Sequence, residues 1–245
     1  MTSEAASTGG VAPVRNPIFA APSDDPRARR TADGFELAFG LLVALLAGWA
    51  HSADTDVDQR VLEFFRDGLP GWLSATFTII YIAGGIYALA LIVGIALFGH
   101  GRLAIVRDML LAALLALAMS AAGAQLSGPE WPDVLPELLE RDGDPSFPVV
   151  RLSMAIAVVI VASPYLSLPM RRVGRRLMLA MGVAAIVMSY GTVSALIGAV
   201  AVGSAAGATI HLVFGSGVGI PSRSRILDGL RDIDLEPAEI EFLDE

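Results

Sequence analysis

The side chains that could act on a substrate are few, and their spacing keeps them apart. The chain has three histidines, His51, His100 and His211, and neither cysteine nor lysine, so all 17 of its basic side chains are arginines. Absence of cysteine excludes disulfides, thiolate metal ligands and thiol nucleophiles. Phosphoryl transfer through histidine needs one imidazole as nucleophile, a second as general acid, and cations for the equatorial oxygens. None of the three histidines is spaced with Arg60, Arg66, Arg141 or Arg151. Carboxylates gather in two stretches, Asp54 to Asp67 and Glu130 to Asp144, with no imidazole or thiol beside them to complete a cage. Oxygen-only binding of Ca²⁺ or Mg²⁺ is the metal chemistry left open, and no cofactor is expected. A net charge of −8, with the acidic residues gathered between and after the apolar runs, argues against a nucleic-acid partner.

These residues are separated by long apolar runs. Of 245 residues, 54% are hydrophobic and 17% charged, well above the apolar share of a soluble domain. A bilayer crossing takes roughly 20 apolar residues. The runs that qualify are Gly34 to His51, Trp72 to Phe98, Leu103 to Leu126, Val149 to Met170, Leu177 to Val193 and Ser194 to Gly215. The expected fold is therefore all-α, a polytopic integral membrane protein with six transmembrane helices over residues 34–216. The last two runs are nearly contiguous, so a tight turn is expected near Gly191 or Thr192. Residues 1–33, rich in Ala, Ser, Pro and charge, read as a disordered cytoplasmic tail. Residues 217–245 read as a cytoplasmic amphipathic segment, with Ile226, Leu227, Leu230 and Ile233 at helical spacing. The unpartnered Ile240, Phe242 and Leu243 make it the expected start of a further domain or of a contact with a partner.

Basic residues near span ends are retained on the cytoplasmic side. Arg27, Arg29 and Arg30 precede the first span, Arg102 follows the second, Arg171, Arg172, Arg175 and Arg176 follow the fourth, and Arg223, Arg225 and Arg231 follow the sixth. The alternate connections are the acidic ones, so both termini are predicted inside. A cleaved signal ending near Ala50-His51-Ser52 is the rival reading. Lysine-free composition with abundant Ala, Gly and Val matches a GC-rich bacterial genome, which places the chain in a bacterial plasma membrane.

The acidic connection before the fourth span carries a pattern seen elsewhere. It contains Trp131-Pro132 and then Phe147-Pro148-Val149-Val150-Arg151. This resembles the type 2 phosphatidic acid phosphatase superfamily, six-helix enzymes that remove phosphate from lipid and polyprenyl phosphates. In that family an Arg-Pro pair precedes a Phe-Pro-Ser-Gly-His stretch opening the fourth span. Phe147 and Pro148 match; Val149, Val150 and Arg151 replace Ser, Gly and His, and Trp131-Pro132 stands for Arg-Pro. The family's last motif has no counterpart between Met188 and Ala199, although Gly203 and Gly207 echo the glycines that follow it.

The resemblance implies a phosphatase-like bundle that has lost its catalytic residues, serving as a structural or lipid-recognising module in envelope lipid metabolism. Membrane lipids are the implied partners, and the arrangement also resembles the N-terminal part of bacterial proteins related to lysyl-phosphatidylglycerol synthase and flippases. Arg151 is the expected anchor for a lipid phosphate; its simpler role is to snorkel or to pair with Asp142 or Asp144. Gly203 and Gly207 are expected to let helices approach closely. Two rivals remain. An active lipid phosphatase would need two histidines on the outer face. A transporter or flippase subunit would need Ser120, Gln125, Ser153, Ser163, Tyr165, Ser189, Tyr190 and Thr192 to converge at mid-membrane.

Overall fold

The structure is a computed structural model that describes residues 27, 29–53, 56–68, 70–98, 103–127 and 147–216. The expectations for residues 1–26, for Trp131 and Pro132, and for the segment 217–245 lie outside these. Among the described residues the chain is all-helical. We number the helices α1 (Thr31–Ser52), α2 (Asp56–Gly68), α3 (Gly71–Phe98), α4 (Leu103–Ser127), α5 (Val150–Ala162), α6 (Leu168–Val187) and α7 (Val193–Phe214), with a 3₁₀ turn at Ser163–Tyr165. Four of them, α1, α3, α4 and α7, are long and apolar enough to cross a membrane. The first begins three residues earlier than the apolar run, so Asp33 lies inside it.

The long helices run alternately up and down. One end of the bundle, the arginine end, gathers Arg27, Arg107, Arg171 and the C-terminus of α7. The other, the acidic end, gathers the C-terminus of α1, all of α2, Phe147 and the start of α7. Helix α7 is the central element and packs on α1, α4 and α5, while α3 packs mainly on α6. Its Ala- and Gly-rich sequence makes this possible, because small residues let backbones approach where no larger side chain would fit. A methyl group placed on Gly40 of α1 would sit 3.0 Å from the Ala201 carbonyl oxygen, and one on Gly203 would sit 2.7 Å from the Ser153 carbonyl oxygen. Leu152, Ala157, Ala162, Ala199 and Ala205 are buried in these contacts.

Three boundaries depart from the sequence reading, each for a local reason. The arginines expected in a connection, Arg171, Arg172, Arg175 and Arg176, lie within the first half of α6. Pro164 sits inside the 3₁₀ turn and Pro169 in the first turn of α6, so the prolines end one helix and start the next earlier than hydropathy implies. Arg171 then turns back, donating from Nε to the Leu166 carbonyl at 3.0 Å and from Nη2 to the Pro164 carbonyl at 3.0 Å. These are carbonyls that the helix end leaves without intrahelical partners.

The helix before α7 also ends earlier than the apolar run, at Val187, and the turn that follows includes the expected Gly191 and Thr192. Tyr190 N–H bonds the Ala185 carbonyl at 2.8 Å and Ser189 N–H the Ile186 carbonyl at 2.9 Å, with Ser189 at φ 57°. This is a Schellman ending whose left-handed position holds serine rather than the neighbouring Gly191. Finally, the acidic connection Asp54 to Asp67 contains α2, whose Asp58, Val61 and Phe65 fall on one side at helical spacing.

Candidate functional site

Phe147 and Pro148 enter the bundle at the acidic end as packing residues. Phe147 lies against α7, where its ring would meet a methyl group on Gly198 at 2.7 Å, and Pro148 faces Gly123 of α4. Val149 and Val150 are each 3% exposed, and the Ser153 hydroxyl donates to the Val149 carbonyl at 3.1 Å. Phe147 to Val150 thus form the buried threshold of α5. Arg151 is the next residue and is half-buried. It lines a cavity of about 400 Å³ between α3, α4, α5 and α6, together with Tyr81, Gly85, Leu89, Met154, Val158 and Met181. The other lining residues are apolar except for Tyr81, so Arg151 is the charged residue that borders this space.

A second arrangement lies beside Phe147. The His51 ring stacks on Phe147 with centroids 4.9 Å apart and planes 20° apart. Its Nδ1 is 3.2 Å from the Ser194 hydroxyl oxygen and 3.3 Å from that of Thr192. Ser194 donates through its hydroxyl to Asp58 Oδ2 and through its backbone N–H to Asp58 Oδ1 at 3.3 Å. Thr192 caps α7 by accepting from Ala195 N–H at 3.1 Å, and its hydroxyl lies 2.8 Å from that of Ser194.

Donor counting assigns the protons. A hydroxyl has one hydrogen to give. That of Ser194 goes to Asp58, so the short Thr192–Ser194 contact uses the hydrogen of Thr192. Neither hydroxyl has one left for His51, so in this arrangement neither donates to the imidazole. In a nucleophilic triad the carboxylate holds the imidazole and the imidazole takes the hydroxyl proton. Here the hydroxyl donates its hydrogen bond directly to the carboxylate, and Asp58 and Ser194 are both buried. The cluster ties α2 to the N-terminus of α7, where a carboxylate is favoured by the exposed amides and the helix dipole.

At the arginine end, Asp108 of α4 is held by Arg27 Nη1 at 2.7 Å and by Arg107 Nη2 at 2.8 Å. The Arg107 guanidinium also lies 4.5 Å above the Phe214 ring. Arg29 donates to the Val213 carbonyl at 3.2 Å. His211 Nδ1 lies 4.0 Å from Asp33 Oδ1, while Asp33 Oδ2 and His211 Nε2 are buried with no hydrogen-bond partner.

His51 and His211 therefore lie at opposite ends of the bundle, and His100 is outside the described residues. Among the described residues no three histidines or carboxylates are grouped to hold a metal ion. The polar side chains that a transport path would use are divided likewise: Ser163 and Tyr165 fall in the turn at the arginine end, Ser189, Tyr190 and Thr192 at the acidic end. Gly203 and Gly207 face Ile156 and Ile160 of α5. The pairing of His51 with Asp58 and Ser194 was not legible in the sequence, where 136 positions separate Asp58 from Ser194. The one available signal was Thr192 before an apolar run, an N-cap pattern. No protein-family model, curated protein or solved structure matches the chain.

Proposed function

We propose that the protein is a non-catalytic, phosphatase-like membrane module that recognises an anionic lipid at Arg151, working in the envelope lipid metabolism of a bacterial plasma membrane. The observation that carries this reading is that one arginine, Arg151, borders a cavity whose other lining residues are apolar except for Tyr81. Such a space suits a molecule with an acyl chain and one anionic group, because planar guanidinium donors match phosphate oxygens and keep their charge. The separation of His51 from His211 supports the absence of histidine-based phosphoryl transfer, as does the commitment of the Ser194 proton to Asp58.

The bundle crosses the membrane six times in this reading, with both termini in the cytoplasm. Helix α6 has 20 residues, and its arginine-rich first half reaches the cytoplasmic interface while the apolar half after Arg176 lies at hydrocarbon depth. Helix α5 is shorter, but its buried faces meet α4 and α7 rather than lipid, and Phe147–Val149 and the 3₁₀ turn extend it at its two ends. The arginine end then faces the cytoplasm. Native mass spectrometry of detergent-extracted protein tests the reading: wild type retains phosphatidic acid or phosphatidylglycerol and Arg151→Ala loses it. Equal retention by both proteins would remove Arg151 from any lipid site.

A further inference from the structure

Helix α2 presents two different faces at the acidic end of the bundle. Asp58 is 6% exposed and pinned to Ser194, and Val61 and Phe65 follow it on the side turned toward α6 and α7. Gln59, Arg60 and Glu63 are exposed. Phe64 does not belong with them chemically, yet it is 72% exposed, its ring edge-on to Phe65 with centroids 5.2 Å apart. At 100° per residue it stands on the flank of the helix, about a third of a turn from Asp58 and next to Val61. A flank position points sideways past the bundle rather than away from it.

Two other large aromatics lie at the same level. Trp49, in the last turn of α1, is 72% exposed, and Trp72, in the first turn of α3, is 70% exposed. They sit on different helices, one before α2 and one after it, so the three rings ring this end of the bundle instead of forming one compact patch. Aromatic side chains placed in this way mark the boundary between hydrocarbon and water. A helix between two such rings, with one side packed on the bundle, fits the same boundary when its exposed aromatic flank meets the acyl region and its charges stay in water.

We infer that α2 lies in the plane of the membrane interface, with Phe64 inserted among the lipid headgroups beside Trp49 and Trp72. The occupant of the Phe64 flank is the bilayer itself. The helix carries Asp56, Asp58, Glu63 and Asp67 against Arg60 and Arg66, so it gains nothing from anionic lipid and holds the surface through its aromatic ring. The cluster of Asp58, Ser194, Thr192 and His51 thereby fixes the roll of α2, which decides that Phe64 rather than Glu63 meets lipid. This inference concerns a surface distinct from the Arg151 cavity and stands or falls separately from it.

The chain contains no cysteine, so one substitution introduces one spin label. The full chain is reconstituted in phosphatidylcholine vesicles with the label at Phe64→Cys or at Glu63→Cys, and collisions with oxygen, which partitions into lipid, are compared with those of a water-soluble nickel complex. Phe64→Cys should show the higher oxygen-to-nickel ratio, Glu63→Cys the lower, and replacing a third of the lipid by phosphatidylglycerol should shift neither. If nickel dominates at both positions, α2 stands in water and the inference is wrong. If neither reagent reaches Phe64→Cys, the flank is covered by protein, including a second copy, and it is equally wrong. Phe64→Trp preserves an aromatic ring should the cysteine variant fail to fold. With Trp49, Trp72 and Trp131 changed to Phe, its fluorescence should be quenched by bromines near the headgroup more than by bromines near the bilayer centre. Quenching by aqueous iodide instead would overturn the placement.

Discussion

Replacing Gly203 by alanine should separate the two helices at the heart of the bundle. The added methyl would lie 2.7 Å from the Ser153 carbonyl oxygen and 2.8 Å from Ile156 Cβ. One neighbour is backbone and the other is the branch point of a stiff side chain, so neither can turn aside and α5 must move. Overpacking of this kind costs about 1 to 3 kcal/mol. Gly207 meets Ile160 Cγ2 at 2.6 Å but has no backbone atom closer than 3.7 Å, which places Gly207→Ala at the lower end of the same range. Gly85 supplies the control, since a methyl there meets nothing within 4 Å. Gly85→Ala should gain up to about 1 kcal/mol from reduced backbone freedom. Equilibrium unfolding in mixed micelles with increasing sodium dodecyl sulfate, followed by helix circular dichroism, should rank the stabilities as Gly85→Ala, wild type, Gly207→Ala, Gly203→Ala. Were Gly203→Ala as stable as Gly85→Ala, close backbone approach between α5 and α7 could not be what holds them together.

Asp58→Ala leaves the Ser194 hydroxyl and amide without their acceptor and should cost about 1 to 3 kcal/mol in the same unfolding assay. Combined with Ser194→Ala, the loss should fall short of the sum of the single variants, because both remove one network; additivity would mean that the two residues act apart. At the other end, Asp108→Asn removes the partner of two arginines and should cost about 1 to 3 kcal/mol, whereas Asp33→Asn, at a carboxylate with one oxygen unpartnered, should cost less than about 1 kcal/mol. The reverse order would contradict the charge pairing described. For topology, Ser52→Cys should react in intact cells with an impermeant thiol reagent while Leu168→Cys should not, and labelling at Leu168→Cys would invert the orientation. Purified protein should release no phosphate from phosphatidic acid above a detergent blank; release abolished by His51→Ala would make it an enzyme.

The helical class and the extents of α3, α4 and α7 were legible because apolar length alone specifies them. Hydropathy could not place α5 and α6 correctly, since their boundary is set by Pro164 and Pro169 and by the backward reach of Arg171. It also missed α2, whose charges mask its one-sided pattern; with most positions polar, the stretch reads as a connection until Asp58 and Phe65 are seen to share a face. The turn before α7 was legible near Gly191 and Thr192 because two nearly contiguous apolar runs need one, although the residue that takes the left-handed position is Ser189. Phe147 and Pro148 stand out in the sequence by their order, and in the fold they are packing residues against Gly198 and Gly123. The cluster of His51, Asp58, Thr192 and Ser194 does not stand out, because three elements distant in sequence build it and no short spacing records their meeting.

Lipid titration of wild type and Arg151→Ala addresses the central claim most directly. A charged contact sheltered from water should be worth more than 1.4 kcal/mol, so the variant should bind phosphatidic acid at least tenfold more weakly while binding phosphatidylcholine as wild type does. An arginine that only snorkels or pairs at the surface contributes about 0 to 1 kcal/mol. Equal affinities of both proteins for both lipids would contradict the account and leave Arg151 as an interface residue.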